Sequence, residues 1–122
     1  MSDALMLSAE QHSGLLKLLA ATQRQHGVIT YRQIIEQLQL PAPSVRRLAS
    51  ALEELACADH AQGWPLRSAL VVSQAQPAHP QLGFIQCAQE LGRFQAMIDE
   101  ANVAAWHSAE LAQVYLFSYP EV

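Results

Sequence analysis

Thr30-Tyr31-Arg32-Gln33-Ile34-Ile35, followed by Leu40-Pro41-Ala42-Pro43-Ser44-Val45-Arg46-Arg47-Leu48, is the stretch whose reading decides the fold. Thr30 and Gln33 have the spacing of a capping box, which predicts a helix opening at Tyr31 with Ile34, Ile35 and Leu38 turned inward. That helix must end near Leu40, because a proline disfavours helical geometry in the residue before it. Ser44 is then placed to cap another helix, in which Val45, Leu48, Leu52 and Leu55 recur at helical spacing. Its opposite face carries Arg46, Arg47, Ser50, Glu53 and Glu54. A short helix, a turn and a longer helix displayed outward is the order of a helix-turn-helix.

Upstream, Ser8 and Gln11 form a second capping-box pattern, and Leu15, Leu16, Leu19 and Ala20 supply an apolar stripe that stops near Gly27. Downstream, Gly63 and Pro65 mark a turn. Residues 67 to 74, with β-branched residues at their centre, predict a strand. Residues 75 to 82 predict a loop, the wing of a winged helix-turn-helix. Gly83 leads into a helix through Phe84, Ile85, Ala88 and Leu91, which Gly92 interrupts. A last helix is expected from about Phe94 to Phe117, with Met97, Ile98, Ala101, Ala105, Leu111 and Val114 as core positions. The expected fold is mostly α: one winged-helix domain over residues 1–122, with an N-terminal helix (8–27), a helix-turn-helix and strand (28–75) and a C-terminal helical part (83–119).

The chain has 122 residues, enough for one core, and its 51% apolar and 15% charged content is that of a folded domain. No run approaches the roughly eighteen apolar residues that span a bilayer, so no membrane contact is expected. Met1 to Ser13 hold acids ahead of any base, unlike a secretory leader. Cys57 and Cys87 are expected to be reduced thiols, and the compartment cytoplasmic. The net charge is −4, unevenly spread. Residues 11 to 68 carry six basic against four acidic side chains, while residues 69 to 122 set Arg93 alone against five acids. Whole-molecule attraction to a polyanion is therefore absent, whereas a local cationic face is available.

From Val28 to about Val72 the chain resembles the DNA-binding domain of the alkylguanine-DNA alkyltransferases and the non-catalytic alkyltransferase-like proteins. Val28-Ile29-Thr30-Tyr31 with Arg32-Gln33-Ile34 looks like the opening of that family's first motif helix. Ser44-Val45-Arg46-Arg47-Leu48-Ala49-Ser50-Ala51-Leu52 is similar to its recognition helix, and Trp64-Pro65-Leu66-Arg67 stands where the family has P-C-H-R or P-W-H-R. The resemblance implies that Tyr31 contacts a phosphate and that Arg46 enters the duplex in place of an extruded base. It also puts Leu66 where the alkyl-accepting cysteine would be, and a leucine has no thiolate to offer. Pro65 to Val72 with Gly83-Phe84 also looks like a loosely defined group of bacterial domains, a likeness that adds no chemistry.

The candidate DNA contacts are thus Arg46 and Arg47 at the tip of the third helix, with Tyr31, Arg32 and Arg67 beside them. Each has a plainer reading as a solvated or core-closing side chain, and Glu53 and Glu54 would repel a backbone lying along the whole helix. Cys57 and His60 share a helix face, yet zinc needs three or four ligands and no second pair has that spacing, so neither metal nor other cofactor is expected. No nucleophile, base and oxyanion hole can be assembled, which argues against an enzyme. Trp64 is either a base-stacking surface or a cover for the core. Trp106, Tyr115, Phe117 and Tyr119, in an acidic setting, are candidates for a protein interface or self-association; the alternative function is a protein-interaction module using that surface.

Overall fold

The computed structural model describes residues 6–74 and 79–120. Five helices, α1 (Ala9–Arg24), α2 (Tyr31–Leu38), α3 (Ser44–Ala61), α4 (Leu82–Glu90) and α5 (Glu100–Leu116), account for most of them. Two two-residue strands, β1 (Ile29–Thr30) and β2 (Val71–Val72), pair in parallel with Ile29 opposite Val71 and Thr30 opposite Val72. The chain is mostly helical, as its periodicity predicts.

Both capping boxes form. Ser8 Oγ accepts from the Gln11 amide at 3.0 Å while Gln11 Oε1 accepts from the Ser8 amide at 2.9 Å, and Thr30 and Gln33 repeat the exchange. The helix-breaking prolines act as expected, with one difference. Pro43 rather than Ser44 is the residue ahead of α3, which therefore starts without a side-chain cap. Arg47 braces the turn instead, its Nε donating to the Pro41 carbonyl at 3.0 Å and its Nη2 to that of Ala42 at 3.4 Å. Where α1 meets α2, a Cβ at Gly14 would stand 2.7 Å from Leu38 Cδ2, so that side chain would have to turn aside.

One apolar cluster joins Leu15 and Leu19 of α1, Ile34 of α2, Leu48 and Leu52 of α3, and Val114 of α5. A second gathers Leu66, Ala69, Phe84, Ile85, Ala88 and Phe94. Helix α3 runs through both, and Leu111 packs against each. His107, on the same face of α5, is buried and its Nε2 donates to the Ala69 carbonyl at 2.7 Å. Burial holds its affinity for a proton below that of a free imidazole.

Three expectations need correction. Residues 67–74 are not a continuous strand: Arg67–Leu70 wind into a 3₁₀ helix, pinned where Ser68 Oγ donates to the Leu52 carbonyl at 2.7 Å, and only Val71–Val72 are extended. The last helix starts at Glu100 rather than near Phe94, because Asp99 caps it by accepting from the Asn102 amide at 2.8 Å. The inward face of α5 consequently carries Val103, Trp106, His107, Leu111 and Val114, while Ala101, Ala105 and Met97 are exposed. Val45, expected inside, is 52% exposed. The loop expected to be the wing spans residues 75 to 82, of which 75–78 lie outside the described residues; its base is closed by the Ser73 amide donating to the His79 carbonyl at 2.8 Å.

Candidate nucleic-acid interface at the start of the third helix

Arg46 lies in the first turn of α3, one residue after the exposed Val45. It is exposed, and no side chain or carbonyl among the described residues takes its hydrogen bonds. The uncapped amides of this turn point the same way, adding the positive end of the helix dipole. Glu53, seven residues on, sits about 10 Å along the helix axis from Arg46.

The other four candidates are held by the protein itself. Arg47 is tied back to the proline turn, as above. Arg32 Nε donates to Glu36 Oε2 at 3.1 Å, one turn along α2 and in solvent. Arg67 is part of the interior: its Nη2 meets Asp59 Oδ1 at 2.8 Å, its Nε and backbone amide both donate to Oδ2, and Asp59 is fully buried. Its guanidinium lies 4.6 Å over the Tyr119 ring. Tyr31 is a core residue, 7% exposed, rather than a side chain reaching for phosphate. Burial, with Glu53 nearby, pushes its phenol up to about 12. Of the five, Arg46 alone is both exposed and without a partner among the described residues.

A small apolar cavity of about 170 Å³ lies between α2, α3 and the start of α4, reached on α3 by Val45, the residue before Arg46. Tyr31, Val45, Ala49, Leu52 and Phe84 form its walls, with Glu53 on its lining. Burial and the neighbouring Glu90 raise the pKa of the Glu53 carboxyl. No spacing rule flagged this cavity; its walls come from three helices.

Leu66 is fully buried and its amide donates to Glu110 Oε2 at 2.8 Å. Around it runs a polar network that the sequence did not reveal. Arg93 donates to His60 Nδ1 at 2.9 Å and to the Trp64 carbonyl at 2.6 Å, and meets Glu110 at 3.5 Å. His60 is thus an acceptor in that network, and among the described residues no group of three potential ligands could hold a metal.

The four aromatic side chains of the expected partner surface face their own chain. Trp106 Nε1 donates to the Arg93 carbonyl at 2.8 Å and packs edge-on to Phe94. Tyr115 OH donates to the Gly27 carbonyl and its ring stacks on His26. Phe117 and Tyr119 pack on Trp64, which makes that tryptophan a cover for the core. The chain matches no protein-family model, no curated protein and no solved structure.

Proposed function

We propose that the chain is a non-enzymatic, cytoplasmic DNA-binding domain of the winged helix-turn-helix type, alkyltransferase-like in its motif helices, which engages duplex DNA at the tip of α3. The observation that carries this reading is Arg46, exposed and without a partner among the described residues, in an uncapped helical turn whose neighbouring Val45 lines an apolar cavity. A guanidinium so placed can enter a duplex and occupy the space of an extruded base, while the cavity lined by Tyr31 and Phe84 accepts a planar ring. Leu66, lacking any nucleophile, leaves such a domain to bind without reacting. No helix among the described residues is long and apolar enough to cross a membrane, which fits the proposed compartment. The alternative of a partner-binding C-terminal surface has less support, since its aromatic anchors are engaged within the chain.

With Arg46 as the principal contact, binding is shallow: one or two phosphates are neutralised, and affinity falls only modestly with salt. Fluorescence anisotropy with a labelled duplex at low and moderate salt tests the reading. Arg46→Ala is expected to weaken binding about tenfold or more, with Arg46→Lys intermediate. Absence of binding at low salt, or an unchanged affinity in Arg46→Ala, would overturn it.

A further inference from the structure

A second recess, about 590 Å³, runs between α1 and the C-terminal segment that follows α5. Its lining includes Lys17, Arg24, His26 and Arg67 and contains no carboxylate among the described residues, in a chain whose net charge is −4. Lys17 and Arg24 are seven residues apart on α1, hence on one face, about 10 Å apart along the axis. Both are exposed, and neither has a protein partner among the described residues. Arg67 commits Nε and Nη2 to Asp59, so Lys17 and Arg24 are the cations of the recess left for a ligand among the described residues.

The same recess holds a stacking platform. His26, left-handed at φ 53° just past the end of α1, lies on the Tyr115 ring with centroids 4.9 Å apart and planes within 16°. Tyr115 is fixed at its far end by its hydroxyl on the Gly27 carbonyl at 2.8 Å. His26 itself is exposed, and both rings line the recess. Leu16, Ala20 and Phe117 give the recess an apolar wall.

We infer that this recess binds a nucleotide, its phosphate between Lys17 and Arg24 and its base on the outer face of the His26–Tyr115 stack. A phosphate supplies the charge that the lining calls for, and a planar base extends the two stacked rings. A bare oxyanion would leave the stack and the apolar wall unused. The volume lies in the range of small-ligand sites. The ligand can come from two sources with this chemistry, a free nucleotide or a unit of single-stranded nucleic acid. The site shares no residue with the start of α3 and stands or falls apart from the duplex reading.

Calorimetric titration of the whole chain at low salt tests this, with adenosine 5′-monophosphate, adenosine, inorganic phosphate and single-stranded oligo-deoxyadenylate as probes. The monophosphate is expected to bind more tightly than either adenosine or phosphate. The double variant Lys17→Ala/Arg24→Ala should weaken it about tenfold, and His26→Ala about fivefold. These side chains are exposed, and the variants are expected to keep the wild-type circular dichroism. Arg46→Ala should leave nucleotide affinity unchanged. Tighter binding of the oligonucleotide identifies single strands as the source; tighter binding of the monophosphate identifies the free nucleotide. Binding of the monophosphate no tighter than that of phosphate, or insensitivity to the double variant, would overturn the inference.

Discussion

Long cationic side chains take the nearest acceptor, and this decides which arginines are available for function. Arg32 finds Glu36 four residues on, Arg47 finds the carbonyls of the proline turn, and Arg67 finds Asp59 across the turn at Gly63. Arg46 has no partner among the described residues. The Arg67–Asp59 pair belongs to a different class from the exposed Arg32–Glu36 pair. Its side chains are 14% and 0% exposed, and both carboxylate oxygens are satisfied. Removing one partner of such a pair strands a charge in the interior, so Asp59→Ala is expected to lower stability by about 3–5 kcal/mol. Urea denaturation checks this. A loss below about 1 kcal/mol, the size of an exposed pair, would show that the pair is solvated and that Arg67 is open to a ligand after all. Nothing in the sequence announces the pairing, because the seven residues between them cross a turn whose path only tertiary packing determines.

At the scale of elements, the capping boxes at Ser8 and Thr30 were readable because both partners are local and the hydrogen bonds close within one turn. The 3₁₀ helix at Arg67–Leu70 was not readable, since Ser68 is held by the Leu52 carbonyl sixteen residues away. The start of α5 was misread because an apolar run, Phe94 to Ile98, imitates a helical stripe until Asp99 caps the true beginning. The C-terminal segment acts as a strap: Gln23 Nε2 donates to the Val114 and Phe117 carbonyls at 2.7 and 2.6 Å, and Tyr119 OH donates to the Pro65 carbonyl at 2.7 Å. Tyr119→Phe should cost about 1 kcal/mol for the lost hydrogen bond, and Tyr119→Ala about 3–5 kcal/mol as the ring over Arg67 and beside Trp64 is lost. Chemical denaturation gives both values, and the alanine variant should shift Trp64 emission to longer wavelength. Equal, small losses in the two variants would mean that the strap is not packed on the core.

For the molecule as a whole, the helical class follows from apolar periodicity, whereas the functional face depends on which charges cancel, a property of the assembled surface. The two apolar clusters share α3 and Leu111, so the ionisations that oppose burial act on one cooperative unit. On the acid side they oppose each other. Burial lowers the pKa of His107, so its contribution is lost as pH falls below the ordinary imidazole value of 6.5, while Glu53, with a raised pKa, relieves its own penalty as it protonates. On the alkaline side they share a sign. Burial raises Tyr31 to about 12 and Cys87 to about 11, and raises Tyr115 and Tyr119 as well. Each is neutral in the fold, so its contribution is complete below the ordinary value, 10.0 for tyrosine and 9.0 for cysteine, and is lost as pH rises through the raised one. Tyr31 alone accounts for on the order of 2–3 kcal/mol. Helix content and phenolate absorbance, followed together in an alkaline titration, should therefore change in one cooperative step above pH 10, the ordinary tyrosine value. Tyr31→Phe, which has no phenol to ionise, should move that step to higher pH. If the phenolates form near the ordinary value with the helices intact, the tyrosines are solvated, and the cavity wall that Tyr31 gives to the proposed base site is not the packed surface described above.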